Sequence, residues 1–438
     1  MADQITVDEA RNVLENGGFG NGLQDAQVDP DDAGVDGAAI DDFIKSFGVE
    51  GSTPYKAYDW IVQVPSHYLK NNYTGPLYGI LRAETESIYI IDTPTYTGDG
   101  SHLIGAIGDE TANEDVHEGG YWLSGAYDGN GLSFHLVEFL NGYKVADYPV
   151  QNKPYDTTVN LFSRNTGLLE SDVMLDKCAV LIGVGSVGSF VAMELARSGV
   201  GKFVLIDTDT LEVHNICRHQ CGFDDLGRYK VDAVRDKILN INPNAEVVTF
   251  KSVIQRIPES ELLPYLGRNT VIVGGGDNRA SADYGCKLAC RTDSAFVATC
   301  CWTRAFAGEV FYWQSGHGLS CYECALGGLI DAERPESHAR YFGTEEDEAS
   351  LAFEPGVAVD IDFVTIIAVK LCLDLLNRDN NAYTPRVIEY LKQYTWISNT
   401  NSTAIGGERA AIFTHPLQIT TSLSVRQRPD CEDCATES

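Results

Sequence analysis

The chain has 438 residues, 44% hydrophobic and 22% charged, enough for two or three domains and a large buried core. Its 63 acidic side chains against 32 basic ones leave a net charge of −31, which argues against nucleic acid as the main ligand, because phosphate contacts need clustered Lys and Arg. No apolar run is long enough to span a bilayer, and no basic segment followed by an apolar stretch opens the chain. The expectation is a soluble cytoplasmic protein with no membrane partner. An acidic surface favours solubility and steers a basic partner. It also fits a salt-rich habitat, and composition does not separate the two.

Residues 1–50 hold twelve acids and two bases around "NGGFGNG" and "DPDDAGVDGAA", and read as a largely solvated lead-in with one or two short helices. Residues 51–155 carry short alternating runs broken by Gly, Asn and Pro, which predicts a small α+β or β-rich domain. Within it, "GPLYGILRAETESIYIIDTP" reads as a hairpin. "NKPYDTTVNLFSRNTGLLESDVML" reads as a connector. From about residue 156 to the end a second domain is expected.

That domain changes texture at Cys178. "CAVLIG", "KFVLID", "EVVTFKS", "TVIVGGG" and "AFVATCCW" are apolar strands. "SVGSFVAMELARSG" and "KVDAVRDKILNINP" are helical between the first of them. Alternating strands and helices predict a doubly wound, mainly parallel sheet. A polar stretch at about 328–355 reads as a crossover loop before the helix "FVTIIAVKLCLDLL".

Gly183, Gly185 and Gly188 form G-x-G-x-x-G after a strand and before a helix. Such a turn brings backbone N–H groups and a helix N-terminus to a phosphate. Asp207 ends the next strand, where an acid can hydrogen-bond a ribose. On these residues alone the Rossmann-like fingerprint favours a nicotinamide or flavin enzyme over an ATP enzyme. The continuation reverses the order. Asp209 lies two residues on, Asn215, Arg218 and Lys230 follow, and "GGGDNRA" closes a later strand with Asp277 and Asn278. Cations beside a glycine turn suit a triphosphate whose pyrophosphate leaves, and a strand-end carboxylate can hold Mg²⁺. Taken singly, Arg218 and Lys230 also read as surface charges, Asn215 as a turn residue and Asp277 as a helix cap.

The run "GVGSVGS…LARSGVGKFVLIDTD…N…RH…D.GR.K", followed by "GDN", resembles the ThiF-type, ubiquitin-activating-like superfamily of adenylyltransferases from about Arg164 to the C-terminus. The resemblance implies that Mg-ATP is bound and that the C-terminal glycine carboxylate of a ubiquitin-like β-grasp carrier protein is adenylated. By it, Asp209 holds the ribose, with Asp207 and the glycines beside it. Asn215, Arg218 and Lys230 contact the phosphates, Asp277 positions Mg²⁺ next to Asn278, and Arg164 reaches the site of a second subunit in a homodimer. "LARSGVG" and "NICRH", with the extra N-terminal domain, lean toward a bacterial ubiquitin-like conjugation system with a conjugating enzyme as a further partner. The alternatives are activation of a sulfur carrier or a short peptide without a thioester, a nicotinamide-dependent oxidoreductase, and a non-catalytic half of a heterodimer.

Twelve cysteines occur, none before Cys178. Cys321-x-x-Cys324 and Cys431-x-x-Cys434 offer the four thiolates of a structural zinc site, although their separation is too long for a local finger. Spacing alone leaves zinc, a redox pair and unrelated thiols open. The superfamily resemblance implies Zn²⁺. A thioredoxin-like role for "CYEC" is disfavoured because no suitable helix start is expected after it. Many members of the superfamily carry a cysteine in the crossover loop, whereas residues 331–355 contain none here. Either the reaction stops at the acyl-adenylate or another thiol serves, with Cys300, Cys301, Cys217 and Cys221 as candidates; Cys300 and Cys301, in an apolar strand, read rather as buried inert thiols. Cys217 is expected to pack beside the phosphate site, and Cys372 reads as helix core. Residues 1–177 contain neither a cysteine for a conjugating domain nor an H-x-H pair, so His67, His102, His117 and His135 read as ordinary histidines and the N-terminal part as a binding module.

Overall fold

Two eight-stranded sheets organise the protein, as described by a computed structural model over residues 60–70, 73–91, 102–108, 119–129, 131–141, 143–276, 278–327, 355–423 and 425–434. All of these belong to the unit Asp59–Ser438. The lead-in, the crossover loop up to residue 354 and Asp277 lie outside the described residues.

The first sheet uses β1 (Ile61–Pro65), β2 (Gly75–Arg82), β3 (Ser87–Ile90), β4 (His102–Ile107), β5 (Gly119–Asp128), β6 (Gly131–Leu140), β7 (Tyr143–Pro149) and β8 (Gln151–Tyr155), in the order β7-β6-β5-β4-β2-β3-β1-β8. The hairpin read from "GPLYGILRAETESIYIIDTP" is present: β2 and β3 pair antiparallel around Glu86, whose φ is +48°. Period-two alternation places Leu77, Ile88, Ile104, Leu123, Phe134 and Leu136 in one apolar cluster with Trp60 and Tyr68. Tyr78 and Tyr89 stay exposed. The expected connector begins later than the sequence reading placed it. Asn152, Lys153 and Pro154 are part of β8, because that strand pairs with β1 along its full length. The connector also ends in a short helix, α1 (Ser171–Leu175).

The second sheet runs β11 (Glu246–Phe250), β10 (Lys202–Ile206), β9 (Cys178–Ile182), β12 (Thr270–Gly274), β13 (Ala295–Cys301), β14 (Ala307–Trp313), β15 (Tyr394–Ser398), β16 (Gln418–Leu423). The first five are parallel to one another, and the pairs β13–β14, β14–β15 and β15–β16 are antiparallel. This is the doubly wound, mainly parallel sheet that the alternating strands and helices predict.

Both faces of this sheet are covered, which explains why its strands are continuous apolar runs. Ala179, Leu181, Phe203, Leu205, Val271 and Val273 pack under α2 (Ser186–Arg197), α3 (Lys230–Ile241) and the helix Ala358–Leu376. The intervening Cys178, Val180, Ile182, Val204, Ile206 and Ile272 pack under α4 (Arg279–Thr292) and α5 (Tyr322–Leu326). Each Leu, Ile, Val or Phe so buried contributes roughly 1.5–3 kcal/mol before chain entropy is set against it. Cys372 is wholly buried in that long helix, as read from sequence.

Chain order sets the site. From β9 the chain crosses to β10 on one side, and β12 lies on the other. A crevice therefore opens at the C-terminal end of β9, the usual ligand position in open α/β sheets.

Candidate active site

The glycine turn fills that crevice, and its three glycines meet three different needs. Gly183 has φ +86°, and a Cβ there would lie 2.9 Å from Gly276 Cα. A Cβ on Gly188 would lie 1.9 Å from Gly183 O, so only glycine lets α2 approach the turn. A Cβ on Gly185 would meet nothing within 4 Å, so that position is open to a ligand. Gly185 is the N-cap of α2, whose first N–H groups face the crevice.

Asp207 holds the turn in shape. Its carboxylate accepts from the Val184 N–H at 2.8 Å and the Asp209 N–H at 2.9 Å. Asp209 meets Lys230: the ammonium donates to Asp209 Oδ2 at 2.9 Å, and the Lys230 N–H donates to Asp209 O at 2.9 Å. The Lys230 ammonium holds the Asp209 carboxyl below the usual carboxylate range, against an opposing effect of burial. Lys230 is 9% exposed and starts α3.

The loop between these residues is built to deliver Lys230. Asp225, buried, accepts from the Gly222 N–H and pairs with Arg228 at 2.8 Å and Lys237 at 3.3 Å. Arg228 also pairs with Asp236. The Thr210–Tyr229 bridge closes the loop at its base. His219 locks the loop to the turn: its Nδ1 accepts from the Cys221 N–H at 3.1 Å, so Nε2–H donates to Val184 O at 2.8 Å.

Burial lowers the His219 pKa below 6.5. The folded state therefore favours neutral imidazole, and this contribution is complete above about pH 6.5 and lost as pH falls below it. Between about pH 7.5 and about pH 5.5 the wild type should lose more thermal stability than His219→Gln, by up to about 1.4 kcal/mol per pH unit. Parallel melting curves would refute a neutral, buried role.

One cavity of about 740 Å³ gathers Gly183, Gly185, Asp207, Asp209, Arg218, Lys230 and Asn278 from the residues expected at the site. Asn278 is also the N-cap of α4, accepting from the Ser281 N–H at 3.1 Å. Gly188 lies behind the turn rather than in the wall. Asn215 is not in the wall either: its Oδ1 accepts from the Glu212 N–H at 3.0 Å in a local capping arrangement, and His214 lines the cavity beside it. Arg164 is exposed on the single turn Ser163–Asn165, outside the wall. Buried Phe162 and a hydrogen bond from the Asn165 side chain to Arg197 O anchor that turn. Cys217 does not pack beside the site; it is exposed, its thiol donating to His214 O.

The cavity extends past what the motifs marked. Ser252, Val253, Trp302, Ala305, Gly356 and Ile361 complete its wall. Cys300 and Cys301 are half-buried and line it, which corrects the reading of both as buried inert thiols: β13 ends at the crevice, so its last residues face open space. Arg304 and Ala305, at φ +56° and +52°, turn the chain sharply here, a costly conformation for non-glycine residues. A hydrogen bond from Asn399 Nδ2 to Ala305 O at 2.7 Å holds it.

The two CxxC pairs meet. Cys321 and Cys431 are 3.5 Å apart at sulfur, Cys324 and Cys434 3.8 Å, and Cys431 and Cys434 3.6 Å. All four sulfurs lie within 4.8 Å of one another. A tetrahedral ion with bonds of about 2.3 Å sets sulfur–sulfur edges of about 3.8 Å. The separations fit that geometry and are too long for disulfides. A helix does start within "CYEC": Cys321 is the N-cap of α5. The four-thiol grouping, not a missing helix, sets it apart from a redox pair.

A doubly wound sheet with a glycine turn and paired charges at its crevice defines a Rossmann-like domain. The chain belongs to the ThiF family, which matches residues 160–404. It is 38% identical over 94 residues to the tRNA threonylcarbamoyladenosine dehydratase of Bacillus subtilis (strain 168), covering 20% of this chain and 37% of that protein. It is 26% identical over 193 residues to ubiquitin-like modifier-activating enzyme 5 of Caenorhabditis elegans, covering 41% and 45%. To the probable molybdopterin-synthase adenylyltransferase of Porphyra purpurea it is 32% identical over 115 residues, covering 26% and 29%. The chain thus spans less than half the length of these relatives. A crystal structure of E. coli MccB with ATP superposes with a TM-score of 0.45 at 19% identity, covering 63% of this chain and 74% of that one. Among the described residues no helix is long and apolar enough to cross a membrane.

Proposed function

We infer that this protein is an ATP-dependent adenylyltransferase acting on the C-terminal glycine carboxylate of a ubiquitin-like β-grasp protein, as the activating step of a bacterial ubiquitin-like conjugation pathway. The observation that carries the reading is the single cavity in which an open glycine turn faces Asp209, Arg218 and Lys230. A dinucleotide needs no such pair of cations, whereas departure of pyrophosphate does. In this reading Asp209 and Asp207 hold the ribose side, Lys230 exchanges its Asp209 contact for the phosphates, and Arg218 neutralises the leaving group. Asn215 would offer its Nδ2–H to the phosphates, its Oδ1 being engaged by the Glu212 N–H. Mg²⁺ supplies charge neutralisation at the phosphates, with Asp277 as its proposed ligand next to Asn278. Arg164 serves a second subunit's site in a homodimer, which fits its exposure outside its own cavity. Zn²⁺ held by Cys321, Cys324, Cys431 and Cys434 would tie the C-terminal tail to the adenylation domain. The part before residue 156 is proposed as a separate domain that recruits the carrier or a conjugating enzyme.

The glycines provide one check. Gly188→Ala should destabilise the fold by about 1–3 kcal/mol, because the turn must move. Gly185→Ala should leave the melting temperature unchanged and weaken Mg-ATP binding. Equal binding by Gly185→Ala and wild type would place the phosphates elsewhere. The reaction itself is tested by incubating the chain with Mg-ATP and a panel of β-grasp proteins ending in exposed glycine, then recording intact masses. A carrier that gains AMP supports the reading; NAD binding with no adduct returns the site to the dehydrogenase alternative.

A further inference from the structure

The far wall of the cavity carries chemistry that adenylation leaves unused. β13 and β14 are antiparallel, with Cys300 opposite Glu309. The Cys300 thiol donates to Glu309 Oε1 at 3.4 Å. Glu309 Oε2 accepts from the Trp302 indole N–H at 2.9 Å and from the Tyr394 hydroxyl at 2.6 Å. The Arg279 guanidinium stands 3.9 Å from Oε1. Burial, with Glu309 alongside, raises the Tyr394 pKa well above its usual value, so that hydroxyl stays a donor.

Glu309 is 6% exposed in a strand otherwise made of Ala, Gly, Val, Phe, Tyr and Trp. A carboxylate buried there is costly, and packing alone would favour an apolar residue. What Glu309 provides is an oriented base against a thiol. β9, β12 and β13 are parallel, so the C-terminal end of β13 shares the crevice of the glycine turn. Cys300 lines the main cavity and also the small cleft behind it, where Gly276, Arg279, Glu309 and Tyr394 meet. Cys301 also borders the main cavity but packs against the apolar cluster on the opposite face, away from Glu309.

We propose that Cys300 is the acceptor thiol for the activated acyl group and that Glu309 is its general base. This rests on the adenylation reading above. The Sγ–H proton passes to Glu309 Oε1, and sulfur attacks the carbonyl carbon of the acyl-adenylate. The new C–S bond replaces the C–O bond to phosphate, and AMP leaves with that electron pair. A nucleophile, a base within hydrogen-bond reach and groups that orient the base form the arrangement expected of an activated thiol. It also accounts for a chain with no cysteine at 331–355.

The test uses the full chain and a synthetic mixed anhydride of AMP and N-acetylglycine, without ATP. Intact mass should show one acyl group, removable by neutral hydroxylamine and mapped to Cys300, with AMP released. Cys300→Ala should abolish the adduct, and Cys300→Ser should abolish the hydroxylamine-labile one. Glu309→Gln should slow acylation about 100-fold near pH 7, with the deficit shrinking as pH rises and the thiolate forms unaided. A purely structural Glu309 would give a deficit independent of pH, and that result would remove the base. Acylation of another residue, or no thioester on a wild-type protein that binds Mg-ATP, would overturn the proposal and leave adenylation standing. A wild-type protein that binds no Mg-ATP would instead remove the adenylation reading.

Discussion

Replacing Lys230 by alanine is expected to lower carrier-dependent adenylation at least about 100-fold, the usual cost of removing one charge-stabilising donor from a transition state. Stability should hardly change. Lys230 is buried, but the Asp209 side chain that it meets is 62% exposed, so losing the ammonium strands no buried carboxylate. Activity and stability therefore separate in this variant. Melting curves and pyrophosphate release read the two quantities independently. A variant that loses both together would make the Lys230–Asp209 pair a structural clamp for α3 rather than a phosphate contact.

Removing the proposed Zn²⁺ should act in the opposite sense, on stability first. Besides the thiols, the described part of the tail is held by scattered polar contacts and by Val425 packing on the apolar cluster. Ser320 Oγ donates to Val425 O at 2.9 Å, and Arg428 pairs with Glu323 at 2.9 Å. Glu323 in turn meets Lys287 at 2.9 Å, and Lys287 meets Asp283 at 3.0 Å. Lys287 and Arg428 hold the Glu323 carboxyl below its usual range. These pairs are partly exposed and weak individually. A metal present at about 1,000 times its dissociation constant adds about 4 kcal/mol, so a chelator, or Cys324→Ser, should lower the melting temperature by roughly 5 °C. Elemental analysis of the untreated protein should give one zinc per chain. Unchanged melting after complete chelation would reduce the cluster to four packed thiols.

Sequence revealed the parts of this molecule that local chemistry dictates. The five strands from "CAVLIG" to "AFVATCCW" were legible because a sheet covered on both faces needs unbroken apolar runs. The glycine turn was legible because close backbone approach leaves no room for a Cβ at Gly183 or Gly188. The paired CxxC motifs were legible as ligands, although only the fold shows that segments 110 residues apart meet. The rest depends on strand order. Cys300 looked inert because its strand is apolar, and nothing local says that β13 ends in a crevice or that Glu309 lies across from it. Asn215 is legible as a candidate by its spacing, but only the fold shows that it stands outside the cavity wall, with its side-chain oxygen accepting from the Glu212 N–H. Trp302 and Gly356 enter the wall from segments far apart in the chain, with no motif to mark them.

Whether the glycine-turn cavity takes ATP is decided by calorimetric titration of Mg-ATP and of NAD into wild type and Lys230→Ala. Wild type should bind Mg-ATP one to one, the variant should bind it at least about ten times more weakly, and NAD should give no heat. NAD binding tighter than Mg-ATP, unchanged by Lys230→Ala, would contradict an ATP site.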